Sequence, residues 1–178
     1  MPDTLWFDNI GKEDIGLVGG KNASLGELLR AGIPVPPGFF VTTRAYDRFL
    51  EEGKIRADMD NILKTIDPEE VETVNAASSE IHALINKLPL SPELEDDIGE
   101  CYRRLSQRCH ELAVPVAVRS SATAEDLPRA SFAGQQETYL WVRGIDDLLL
   151  HIRKCWSSLF TPRAISYREK IGFPHENV

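Results

Sequence analysis

Long apolar runs are missing from this 178-residue sequence. No stretch approaches the roughly 20 apolar residues that a membrane-spanning helix needs, so no membrane partner is expected. Residues 1–12 lack a positive start leading into an apolar stretch, so no secretory signal is expected either. Positive charge is scarce too: 20 Lys and Arg stand against 28 Asp and Glu, for a net charge of -8. Non-specific nucleic-acid binding needs a surplus of cations to neutralise phosphates, so nucleic acid is not an expected partner. A nucleotide stays open as a ligand, because a few local cations can hold a triphosphate on an acidic protein. Cysteine is sparse, with three residues in no framework spacing, which reads as reduced thiols in a cytoplasmic protein. Cys101 and Cys109 fall on roughly one side of a helix with His110 nearby. Helix packing outweighs a metal site there, since no Cys-x-x-Cys pair or paired-His motif supports a metal, and no metal ligand is assigned.

What is present is the composition of an ordinary globular protein, 42% apolar and 27% charged, without internal repeats. Leu25, Leu28 and Leu29 share a face of a short helix over 22–31 that Gly32 stops. The prolines of residues 33–38 make a stiff extended connector into a buried strand, Phe39-Phe40-Val41. Thr43 is expected to cap a helix reaching about Glu52. Asp67-Pro68 and Ser91-Pro92 read as N-cap and N1 pairs of two further helices, the second ending near Leu112. Strand formers return at Val116–Val118 and at Glu137–Val142, with a polar loop, residues 120–136, between them. Helices follow over about 145–160 and from Thr161-Pro162 to Gly172. Strands mixed with a larger share of helix predict an α+β or mixed α/β chain, mainly helical over about 54–113.

Two segments carry candidate chemistry. At Gly19-Gly20-Lys21, two glycines let the backbone approach a ligand, a helix start presents N–H groups to an anion, and Lys21 adds a cation. This is not a Walker A loop, because Ile15 stands where its first Gly belongs and Asn22 follows the Lys. Alone, Gly-Gly-Lys reads better as a solvent-exposed turn. Arg119, directly after a buried strand, has a fork suited to bidentate phosphate contact; on spacing alone a structural ion pair is an equal reading. The loop behind it tips the balance, because long loops inside compact domains tend to be lids or binding loops. It carries Ser120, Ser121 and Thr123, then Ala133-Gly134-Gln135-Gln136.

The motifs at 18–27 (Val-Gly-Gly-Lys-Asn-Ala-Ser-Leu-Gly-Glu), 34–39 (Pro-Val-Pro-Pro-Gly-Phe) and 117–138 (Ala-Val-Arg-Ser-Ser-Ala-Thr-Ala-Glu-Asp-Leu-Pro through Ala-Ser-Phe-Ala-Gly-Gln-Gln-Glu-Thr) resemble the N-terminal domain of the phosphoenolpyruvate synthase family. So does the segment Ser-Leu-Phe-x-x-Arg-Ala-Ile-Ser-Tyr-Arg at 158–168. Pyruvate phosphate dikinase is a more distant relative, while rifamycin phosphotransferases and phenylphosphate synthase share much of the pattern.

The resemblance implies an ATP-grasp-like nucleotide-binding lobe, with residues 1–178 as the N-terminal part of an ATP-binding domain. It implies ATP as ligand and Mg²⁺ as its metal, with the metal's acidic ligands on a second lobe outside this chain. Lys21 and Arg119 match the family's phosphate-contacting residues, and Gly134 and Thr138 match its nucleotide-contacting positions. In such enzymes ATP phosphorylates a histidine on a separate domain, which carries the phosphoryl group to bound pyruvate. His82, His110, His151 and His175 lack that histidine's motif context, so no catalytic residue is assigned in this chain. The phosphohistidine and pyruvate domains are expected to lie outside these residues, and the isolated chain is expected to be inactive. Its expected partners are ATP and the remaining domains of a full-length enzyme, with a homodimer left open. Two readings compete: a related phosphotransferase with another hydroxyl acceptor, and a non-catalytic binding module.

Overall fold

Strand β1, Thr4–Trp6, pairs antiparallel with β2, Phe39–Val41, placing Leu5 opposite Phe40. The computed structural model describes residues 2–121 and 137–175. Between these strands the chain makes two 3-10 turns, a single helical turn α1 (Ile15–Val18) and helix α2 (Gly20–Arg30). Gly26 lets α2 lie against Ile10, since a Cβ there would sit 2.3 Å from the Ile10 carbonyl oxygen. Ile10, Val18, Ala23 and Phe40 form a small apolar cluster in this part of the molecule.

Helices α3 (Thr43–Glu52), α4 (Arg56–Leu63), α5 (Val71–Lys87) and α6 (Pro92–Arg108) follow. Strand β3 (Val116–Arg119) pairs antiparallel with β4 (Thr138–Val142), and helices α7 (Ile145–Ser157) and α8 (Pro162–Ile171) end the described chain. The chain is therefore α+β: among the described residues, two small antiparallel sheets stand with a larger share of helix. Its main core lies between the helices. Ile81 and Ile85 of α5, Ile98 of α6 and Ile165 of α8 are fully buried there. Buried polar groups bond across it, as when the Ser78 hydroxyl donates to the Phe160 carbonyl at 2.7 Å. No helix among the described residues is long and apolar enough to cross a membrane.

Several element boundaries differ from the expectation. Thr42, not Thr43, caps α3, its hydroxyl accepting from the Ala45 N–H at 3.4 Å. Asp67 does not open α5: its carboxylate accepts from the Glu69 N–H and closes a turn, and the helix begins at Val71. Helix α6 stops at Arg108, short of Leu112, because His110 turns left-handed at φ 57°. The His110 N–H then bonds the Gln107 carbonyl and the Glu111 N–H bonds the Ser106 carbonyl, a Schellman closure usually made with glycine. His110 is thus a helix terminator. His110→Gly is expected to raise stability by up to about 1 kcal/mol, read as a higher midpoint of urea unfolding, because glycine adopts this conformation without steric cost. Cys101 and Cys109 both pack around Trp6, the packing role that their helical spacing suggests.

Candidate phosphate site

Helix α2 opens without a capping side chain, since its N-cap is Gly19. Gly19 sits at φ 74°, ψ 163°, a conformation essentially reserved for glycine. Its missing side chain matters twice, because a Cβ at this position would lie 2.0 Å from the carbonyl oxygen of Ser121. The start of α2 is therefore pressed against the end of β3. The contact carries a hydrogen bond, in which the Asn22 N–H donates to Ser121 Oγ at 3.4 Å across 99 residues of sequence. The Asn22 side chain donates back to the Val18 carbonyl at 2.8 Å and ties α1 to the same corner.

The two segments singled out in the sequence thus meet. Lys21 is the second residue of α2, and Arg119 is the last residue of β3, two positions before Ser121. Thr138 opens β4 directly opposite Arg119 in the antiparallel register, so the two share one face of the sheet. Both residues are exposed. Gly134 and most of the predicted loop, residues 122–136, lie outside the described residues. Asn22 and Ser121 were not assigned to the site from the sequence. Ser121 was visible there only as one hydroxyl in a polar run.

Strand β3 is held from behind by Tyr102 of α6. Its hydroxyl donates to the Val114 carbonyl at 2.8 Å and accepts from the Gly144 N–H at 2.8 Å. One side chain thereby fixes the entry to β3 and the start of α7. On the return side, the Glu137 N–H donates to Ser158 Oγ at 3.3 Å.

A cavity of about 520 Å³ adjoins the meeting point. Apolar side chains line most of it, among them Leu25, Val41, Val118 and Trp156, while Asn22, Ser120 and Ser121 contribute polar groups. Arg119 is the only charged residue in the lining among the described residues. Arg119 is exposed at the rim of this cavity, so its charge is open to an anionic ligand. Cys155 also lines the cavity, but burial pushes its thiol up to about 12, with the nearby Glu137 carboxylate adding to the shift. It stays protonated at neutral pH and is no nucleophile. Among the described residues no three His, Cys, Asp or Glu side chains converge to hold a metal.

Residues 15–178 match the family described as "Pyruvate phosphate dikinase, AMP/ATP-binding domain". The chain is 52% identical over its whole length to a probable phosphoenolpyruvate synthase of Archaeoglobus fulgidus, of which it covers 23%. It is 47% identical to the phosphoenolpyruvate synthase of Aquifex aeolicus over 98% of this chain and 21% of that protein. The corresponding figures for the phosphoenolpyruvate synthase of Pyrococcus furiosus are 43%, 97% and 25%. This chain therefore spans a quarter or less of each of these relatives.

Proposed function

Because this chain belongs to the family of pyruvate phosphate dikinase AMP/ATP-binding domains, we propose that it is the ATP-binding portion of a longer phosphoenolpyruvate synthase. The whole enzyme converts ATP, pyruvate and water to phosphoenolpyruvate, AMP and phosphate through a phosphohistidine outside these residues. Residues 1–178 are the N-terminal part of an ATP-grasp-like domain, whose second lobe closes over the nucleotide.

Within this portion the work is electrostatic. The N-terminal turn of α2 offers N–H groups and Lys21 to the phosphate chain, and Arg119 supplies a fixed fork from the other side. Thr138 and Gly134 contact the nucleotide from the strand and loop opposite Arg119. Neutralising charge on the transferring phosphoryl group and holding it in line accounts for most of the catalysis in such reactions. Mg²⁺ arrives with ATP and takes its protein ligands from the second lobe, as the resemblance implies.

The observation that carries this reading is the juxtaposition of a glycine-opened helix with Ser121, two residues after Arg119, at the edge of an apolar cavity that no acid lines among the described residues. Calorimetric titration of MgATP into this chain, beside a Lys21→Ala, Arg119→Ala double variant, tests it. Weak, saturable binding by the parent is expected, with at least a tenfold loss in a variant that keeps the parent's circular dichroism. Equal binding by both proteins, or none by the parent, rejects a phosphate site built from this chain alone. The chain by itself is expected to transfer no phosphoryl group, and release of AMP and phosphate by the purified protein would contradict that.

A further inference from the structure

The start of α2 and the end of β3 each carry one of the proposed phosphate-contacting residues, yet they belong to different parts of the fold. Lys21 rides on a helix that packs on the N-terminal turns, in the region of the Ile10 cluster. Arg119 rides on a sheet packed against α7 and pinned by Tyr102. Nothing within either unit fixes the separation between the two backbone positions that carry Lys21 and Arg119. That separation has to match a phosphate chain to within a fraction of an ångström to be useful.

We infer that Ser121 is a positioning residue that sets this separation, by clamping the opening of α2 onto the end of β3. Two contacts make the clamp. Ser121 Oγ accepts the Asn22 N–H at 3.4 Å and serves as the capping group that Gly19 cannot provide. The Ser121 carbonyl oxygen occupies the space a Cβ of Gly19 would fill, so the two backbones approach more closely than any other residue at 19 permits. Asn22 completes the corner through Val18. Ser121 follows Arg119 by two residues and Asn22 follows Lys21 by one, so the clamp lies next to both cations without using either. A cap of this kind helps the protein fold, but its consequence for function is separate: it presets the distance between Lys21 and Arg119 before nucleotide arrives.

This inference rests on the proposed phosphate site, and its test distinguishes the two. Amide hydrogen exchange and MgATP titration are measured on the parent, on Ser121→Ala, on Arg119→Ala and on the double variant. Without nucleotide, the Asn22 amide is expected to exchange at least tenfold faster in Ser121→Ala than in the parent. With MgATP, Ser121→Ala is expected to bind at least tenfold more weakly. The same substitution made in the Arg119→Ala background should change affinity less than threefold, because positioning matters only while the partner cation is present. A general loss of stability would weaken binding equally in both backgrounds, so it would not produce that non-additivity. Unchanged Asn22 exchange, or equal losses of affinity in the two backgrounds, overturns the clamp while leaving the phosphate site standing. A parent that protects Asn22 through Ser121 yet binds no MgATP overturns a phosphate site built from this chain alone, and with it the purpose assigned to the clamp.

Discussion

Gly19→Ala is expected to destabilise the protein by about 3 kcal/mol or more. Two costs combine. A residue at φ 74°, ψ 163° occupies a region that L-residues with a Cβ scarcely populate. The new methyl would also stand 2.0 Å from the Ser121 carbonyl oxygen and 2.5 Å from its hydroxyl. The hydroxyl can turn away about its own side-chain bond, but the carbonyl oxygen is backbone, so relief requires α2 and the end of β3 to separate. Urea unfolding monitored by tryptophan fluorescence reads the loss. Gly16→Ala is the control, because a Cβ there meets nothing within 4 Å, and it should leave the midpoint nearly unchanged. A Gly19→Ala protein as stable as its parent would mean that the contact between the helix and the strand is not held in solution.

That contact also marks the limit of what the sequence could reveal. Local signals were readable wherever a few adjacent residues decide the outcome. Helix α8 is capped by Thr161, whose hydroxyl accepts from the Ala164 N–H at 3.2 Å, carries Pro162 in its first turn and ends at a left-handed Gly172. All three of its signals lie in the chain itself. Helix α6 shows how the same logic fails, because His110 takes the left-handed position and no glycine announces the stop. Asp67-Pro68 misled for a related reason: an Asp that accepts a nearby N–H can close a turn as readily as open a helix. Strand β1 has only three residues, too few for periodicity to show, and is held by its pairing with β2 and by Trp6 packing on α6. Lys21 and Arg119 could each be picked out from their neighbours. The meeting of the segments that carry them depends on a bond spanning 99 residues, and no local pattern encodes that.

The second large effect is expected at Arg168, whose replacement by alanine should cost about 2–5 kcal/mol through the cavity and the hydrogen bond it removes. Arg168 is 1% exposed, an unusual state for a cation. Burial draws its pKa down to about 10, so it remains charged at neutral pH and depends on the few contacts that compensate it. Its Nε donates to His175 Nδ1 at 2.8 Å, and its guanidinium lies 5.3 Å from the centre of the Phe160 ring. His175 completes the relay by donating from Nε2 to Glu169 Oε1 at 2.7 Å. These two bonds require neutral His175 with its proton on Nε2. Truncating Arg168 opens a cavity beside Phe160 and strips His175 of its donor, whereas Arg168→Met keeps the bulk and should cost less. The same relay makes stability depend on pH. Burial lowers the pKa of His175 below its ordinary 6.5, so between that value and the folded-state pKa the unfolded chain binds more protons. Stability is then fully present above about pH 6.5 and is lost as pH falls through the folded-state pKa. In His175→Gln the amide can accept from Arg168 and donate to Glu169 without titrating, so the fall in unfolding free energy between pH 7 and pH 5 should be smaller. The slope that remains belongs in part to His82, which burial also shifts down and which therefore acts with the same sign. An unfolding free energy with the same pH dependence in parent and His175→Gln would show that His175 does not hold Arg168 in its neutral form.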